Sequence, residues 1–534
     1  MHRYLAWILI VACGCARFGP DDADSDGAAA RDLGGAGAAG AAGSGGASAA
    51  GAQMDENGVG GSASSAAPDT DDACTDACSG LRAHDGDMSI ETSVPTPSGV
   101  VTPTGNWREA CSLHVSAHDS WLELSMPPQH QSAVDSNGNL VITGAFYGTL
   151  DFGAFSIVAG GERDGFVVKL DADCQPLWGK ALGASAGSEV LVSAMAQDDQ
   201  DNLYLAISVR GTADFGDGVV VADVGMLGVV LKQGPSGELL WSKVVPSASY
   251  GTAVTDLVVD GQGRVTLIGY GGIDTSLGGG PIIGELRAGN VPFLAQLDAD
   301  GQFIFDQTFR NDDLMYGLAI GPGDELWVAG WSIDDVSVGA DLLALPGGGR
   351  YLARLDSSGN QRWLKALPRG GDEDQWNWWR AAFLVDADGN TFTLREQPVT
   401  VADGSSRFLE DSVEKYDAEG NPVWTRRLSE DLQYEQLGHG IALTSAGHVL
   451  RLSTFRPSVA TAGGTSFAAD NTDVELMELD TDGTPLSSYR VSNAAYDYSI
   501  GLTTTPADDV FVTYETELPG PEDDWDVVVV KLKR

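Results

Sequence analysis

One element of this 534-residue chain recurs seven times at an almost even spacing, and it restricts the fold more than any other feature. Its first copy is Phe166-Val-Val-Lys-Leu-Asp-Ala-Asp-Cys-Gln-Pro-Leu-Trp178: a strand-like run, a tight turn, and a second run carrying an aromatic. The slot of Lys169 is taken in later copies by Lys232, Gln296, Arg354, Lys415, Glu478 and Lys531, at separations of 63, 64, 58, 61, 63 and 53 residues. Most copies turn through Asp-x-x-Gly, as at Asp356 to Gly359 and Asp417 to Gly420. Glycine there permits the positive φ that a hairpin with a bulge requires.

A second hairpin element precedes the first. It reads Val134-Asp-Ser-Asn-Gly-Asn-Leu-Val-Ile-Thr-Gly144 and returns at 259–269, 321–330, 385–394, 443–450 and 505–512. Each period therefore holds two hairpins, or four strands, and no convincing amphipathic helix interrupts them. Four-stranded units repeated radially make a β-propeller. The expected fold is all-β, with about seven blades over residues 110–534. Hydrophobic residues make up 43 % of the chain, enough for the cores between blades. The period near 60 exceeds the roughly 40 to 50 residues of common propeller repeats, so each blade should carry an extended loop.

A ring must join its ends. The seventh copy, Val527 to Lys533, is followed by no further strand, so one blade needs a strand from elsewhere. The expected donor is Ser120-Trp-Leu-Glu-Leu-Ser-Met126, with Trp121 standing where Trp178, Trp241, Trp363 and Trp424 stand in their copies. On this reading, the pairing of Trp121 to Ser125 with the last strand and the count of seven stand together.

The start of the chain reads as an export signal. His2 and Arg3 precede the apolar run Leu5 to Ala12, too short for the about 20 residues of a spanning helix but suited to a secretory signal. Residues 1–15 close on Cys13 and Cys15. Ile10-Val11-Ala12-Cys13 resembles a bacterial lipobox, which implies a lipid chain on Cys13, with Cys15 as the alternative. Residues 16–72 are almost all Gly, Ala, Ser and Asp and are expected to form a disordered tether. Residues 73–109 are a transition segment holding Cys74, Cys78 and a Pro-Thr stretch. With Cys111 and Cys174 these make four cysteines in an exported chain, and three disulfide connectivities are open. A net charge of −45 argues against nucleic acid as a partner.

The copies also carry a family resemblance. Asp-x-x-Gly-Asn, Thr-Gly-x-Phe and Gly-Thr-x-Asp-Phe-Gly over residues 135–153, Gly211-Thr-Ala-Asp-Phe-Gly216, and Asp164-Gly-Phe-Val-Val-Lys-Leu170 resemble the bacterial SBBP-type β-propeller repeat. That family implies an exported propeller and no defined activity. From the third copy on, the Asp-Phe-Gly element is missing and periodicity alone marks the blades. Asp-x-x-Gly-x-x-x-Trp, as at Asp356 to Trp363 and Asp417 to Trp424, is also similar to the tryptophan-docking turn of quinoprotein dehydrogenases. The same turn occurs in a non-enzymatic lipoprotein of outer-membrane assembly.

Few residues point to chemistry. Asp298, Asp386 and Asp480 open Asp-x-Asp-Gly turns, but calcium needs roughly six to eight oxygens including a downstream acid, and Asp386-Ala-Asp-Gly-Asn390 is followed by Thr, Phe, Thr and Leu, so plain turn chemistry is expected. Cys74 and Cys78 lack the second half of a zinc site. His114 and His118 have the spacing of a helical metal pair in a segment that reads as strand and loop. His439 and His448 stand alone, and no Gly-x-Ser-x-Gly elbow is present. Trp376, Trp378 and Trp379, set among carboxylates, could stack on a sugar or hold a peptide. The expectation is a non-enzymatic binding or scaffold head for an unknown protein or carbohydrate. It needs no cofactor or metal and is held at the cell envelope, on the outer membrane, by its lipid.

Overall fold

Strands that are buried at every position need cover on both faces, and a ring of radially packed sheets supplies it. Leu140–Phe146, Val291–Leu297 and Asp473–Leu479 are buried along their whole length. The structure is a computed structural model. It describes residues 107–534 apart from 116–121, 124–130, 184, 248–250, 282–290, 310–312, 333–334, 339–340, 347, 369–381, 401–405, 429–436, 456–471, 492–496 and 518–524.

The described residues form a seven-blade propeller of four-stranded antiparallel sheets. Blade 1 runs outward from Ser132–Val134 through Leu140–Phe146 and Asp164–Leu170 to Pro176–Leu182. Blade 2 is Glu189–Gln197, Leu203–Asp214, Val219–Gln233 and Leu239–Val245. Blades 3 to 6 follow the same order, beginning at Ala253, Asp313, Phe383 and Leu437. Blade 7 takes Asp497–Thr504, Val510–Glu517 and Trp525–Lys533 from one end of the chain and its outermost strand, Arg108–Val115, from the other. Neighbouring innermost strands touch around the ring, and Asp497–Thr504 of blade 7 returns to Ser132–Val134 of blade 1.

The closing strand is therefore not the expected one. Val527 to Lys533 pair with Arg108–Val115, whereas Leu122 and Glu123 pair with Phe146 and Ala145 in blade 1. Trp121 lies outside the described residues. The count of seven stands without it, because Arg108–Val115 fills the vacant outer position. The residue in the aromatic slot of blade 7 is Cys111: it lies opposite Lys531, as Trp178 lies opposite Lys169 and Trp241 opposite Lys232.

That slot explains the repeat. The outer-strand aromatic of one blade covers the glycine of the next blade's outer turn. Trp178 meets Gly237, Trp241 meets Gly301, Phe305 meets Gly359, Trp363 meets Gly420 and Trp424 meets Gly483. The indole N–H groups of Trp241 and Trp424 also donate to the carbonyls of Ala299 and Thr481, each at 3.0 Å. A side chain on these glycines would strike the ring, and their φ values of 73° to 82° disfavour any other residue.

The Lys169 slot works beside it. Lys169 meets Asp135 of its own inner turn at 2.8 Å and donates to the Pro235 carbonyl of blade 2 at 3.3 Å. Lys232 reaches Ala299, Arg354 reaches Ala418, Lys415 reaches Thr481 and Lys531 reaches Ala172, each a carbonyl in the next blade's outer turn. Four of these cations also lie over an aromatic ring on the adjacent strand: Tyr204, Trp327, Phe392 and Phe511.

In blade 3 the slot residue Gln296 donates instead to Thr266 Oγ1 of its own blade at 2.9 Å, and the two junctions that lack the aromatic-on-glycine contact both border blade 7. At its junction with blade 1, the glycine slot holds Cys174, with φ 62°, and a disulfide joins it to Cys111. At its junction with blade 6 there is no outer turn to grip, because the fourth strand arrives from residues 108–115. The slot there is Glu478, which takes Arg534 instead of a carbonyl. Arg534 lies over the Trp107 ring at 5.0 Å, and the Trp107 N–H donates to Ser487 Oγ at 3.1 Å.

Candidate functional site

The acidic turns are occupied with holding themselves together. In each, one carboxylate oxygen accepts the backbone N–H groups two and four residues on: Asp298 from Asp300 and Gln302, Asp386 from Asp388 and Asn390, Asp480 from Asp482 and Thr484. Burial alone would raise the carboxyl of Asp417, but hydrogen bonds from Asn421 and Glu419 and the charge of Lys365 hold it below the usual range. Three inner turns carry Asp at a positive φ where others carry Gly: Asp201, Asp324 and Asp508. Each reaches the preceding blade. Asp201 accepts from the N–H and hydroxyl of Ser136, Asp508 from those of Ser445, and Asp324 from Gln262 and Arg264.

A groove of about 430 Å³ opens between the outer parts of blades 1 and 2, lined by Lys180, Leu182, Asp214, Phe215, Gln233 and Leu239 among others. Its far wall is the Gly-Thr-x-Asp-Phe-Gly segment of blade 2. Gly211, at φ 79°, stands where a side chain would come within 2.5 Å of Ser188 Oγ, and that hydroxyl instead accepts the Thr212 N–H. The strand then turns out into a hairpin. Asp214 accepts the Gly216 N–H at 2.9 Å, its own N–H donates to the Gly183 carbonyl, and Ser242 donates to Asp217. The near wall is pinned by Lys180, whose ammonium donates to the Gly237 carbonyl at 2.6 Å. In blade 1 the matching hairpin closes on itself: Phe152 is buried against Phe155, which covers Gly179. Phe215 is only half-buried and borders open space. Phe215, the Gln233 amide, the Asp214 carboxylate and Lys180 thus border one open space of a size that a small ligand would fill.

Of the candidate site residues read from sequence, those that are described do not line the groove. Trp376, Trp378 and Trp379, Cys13 and Cys15, Cys74 and Cys78, and His118 are outside the described residues. His114 is exposed on the closing strand. His448 does not stand alone: its Nδ1 lies 2.7 Å from Glu478 in the blade 6 and 7 junction. Among the described residues no three His, Cys, Asp or Glu side chains gather as metal ligands. The groove itself was not anticipated.

No protein-family model matches the chain, and no curated protein is significantly similar to it. Solved structures match the propeller at low identity. The β-propeller domain of the Trilobed protease from Pyrococcus furiosus, described as an open velcro topology, is 9 % identical, with 74 % of this chain and 92 % of that one covered and a TM-score of 0.38. A gluconolactonase from Xanthomonas campestris is 14 % identical, with 66 % and 95 % covered and a TM-score of 0.30. A Synechocystis apocarotenoid oxygenase mutant is 10 % identical, with 68 % and 72 % covered and a TM-score of 0.35.

Proposed function

We propose that this is an exported, lipid-anchored envelope protein whose propeller head is a binding module for protein or glycan, built from SBBP-type repeats. The observation that carries the reading is the groove between blades 1 and 2. There the repeat's own Asp-Phe-Gly hairpin holds an aromatic at the mouth of a polar-lined cleft. The disulfide between Cys111 and Cys174 fits an oxidising compartment, as expected beyond the cytoplasmic membrane. The apolar run ending at Cys13 and Cys15 supplies the signal and anchor, and the Gly/Ala-rich stretch supplies reach.

A photoreactive benzophenone residue placed at Phe215 of the full-length protein, and separately at Asp388 on the turn face, tests the reading in intact envelopes. Crosslinking to protein or polysaccharide from position 215 and not from 388 supports it. No adduct from 215, or equal adducts from both, contradicts it. Replacing Cys13 and Cys15 together by Ala should release the protein from the membrane fraction, and retention would remove the lipid anchor from the proposal.

A further inference from the structure

Blade 2 breaks the repeat at one buried position. The residue after the Lys169-type slot is Leu170, Leu297, Leu355, Tyr416, Leu479 or Leu532 in the other six blades, all buried. In blade 2 it is Gln233, 5 % exposed, and its side-chain oxygen has no hydrogen-bond partner among the described residues. The next residue departs too. Gly234 replaces the Asp that opens most outer turns, and Glu238 caps this turn instead, accepting the Ser236 N–H. A buried amide without a partner is destabilising by more than a lost hydrogen bond, and six blades show that leucine or tyrosine fits the slot. Turning the amide over only exchanges an unpaired acceptor for an unpaired donor. Strand alternation settles where it points. Lys232 reaches blade 3, so Gln233 faces the opposite way, into the groove that it lines with Lys180, Asp214 and Phe215.

We infer that this groove is a subsite for a neutral carbohydrate, with Gln233 as the hydrogen-bonding partner of a ring hydroxyl; this rests on the binding-module reading above. The Gln233 amide can present a donor or an acceptor and the carboxylate of Asp214 only accepts, so a hydroxyl, which donates and accepts, suits the pair better than a phosphate or carboxylate, which Asp214 would repel. One ammonium beside one carboxylate favours no net charge. The half-buried Phe215 and Leu239 supply the apolar surface on which the C–H face of a pyranose packs. The polar groups are side chains and not a free strand edge, so hydroxyls suit them better than an added peptide strand.

Calorimetric titration of the full-length protein with maltopentaose, cellopentaose, chitopentaose and mannopentaose tests the inference. At least one should bind. Gln233→Leu should weaken it by about tenfold or more, the loss of one buried hydrogen bond, without lowering the unfolding temperature, because it restores the residue type of the other blades. Phe215→Ala, on the hairpin, should weaken binding with the fold intact. Binding by none of the four sugars, or undiminished binding by Gln233→Leu, overturns the carbohydrate assignment. If no sugar binds while position 215 still crosslinks to a protein, the assignment falls and the binding module stands. If position 215 yields no adduct as well, both fall.

Discussion

Cys111 is bonded to Cys174 across the junction of blades 7 and 1, with their Cα atoms 5.9 Å apart, in the two slots that hold an aromatic and a glycine at five other junctions. The covalent bond replaces a stacking contact where the ring is closed by strands from opposite ends of the chain. It also offsets the cost of a non-glycine residue at φ 62°.

Reduction should therefore loosen the whole ring and not one loop. Loss of the bond, by reductant or by Cys111→Ser, is expected to cost about 2–5 kcal/mol. Denaturant unfolding under oxidising and reducing conditions measures it. The pair Cys111→Trp with Cys174→Gly should recover part of that stability in reductant, because it restores the contact used at the other junctions.

The aromatic-on-glycine contact is open to test at the junction of blades 5 and 6. A Cβ on Gly483 would lie 2.9 Å from the Trp424 ring, at φ 76°. Gly483→Ala should cost about 1–3 kcal/mol, from backbone strain and displaced packing. Gly261→Ala, with open space around it, serves as the control and should change little. Equal unfolding midpoints for the two variants would remove the stacking account of the repeat.

Acid should destabilise the head. At Asp135, Asp198, Asp356, Asp417 and Asp508, burial acts to raise the carboxyl, but hydrogen bonds, from the residue's own turn or for Asp508 from Ser445 of blade 6, and nearby cations outweigh it and hold the carboxyl low. Glu414 is also held low. It is buried between blades 4 and 5, where the charges of Arg350 and Arg395 and the Tyr416 hydroxyl outweigh desolvation. A carboxyl lower in the folded than in the unfolded state contributes stability that is complete above about pH 4 and is lost as pH falls through the folded value. Asp306 and Asp473, raised by burial, act in the opposite sense but are fewer. The unfolding free energy should drop steeply below about pH 4, and Glu414→Gln should flatten part of that drop while lowering stability at neutral pH.

The blades were legible because their period is written in local chemistry: a turn that needs glycine, a cation one strand earlier and an aromatic one strand later. The seam was misread for the same reason. Trp121 carries the aromatic signal, whereas the true occupant of the slot, Cys111, has none until its partner Cys174 is seen in a glycine position. The groove left a trace as well. Gln233 stands in a column of leucines and one tyrosine, but a single polar residue in an apolar column gains meaning only when the neighbouring wall, Lys180 to Gly183, is placed against it.

Ring closure is tested most directly by amide hydrogen exchange along Trp525–Lys533 in the full-length oxidised protein. With Arg108–Val115 on one side and Val510–Glu517 on the other, its amides should exchange as slowly as those of the interior strand Asp473–Leu479 and more slowly than those of the outer strand Pro422–Arg427. Exchange at the outer-strand rate, with residues 108–115 unprotected, would contradict a ring closed by that strand.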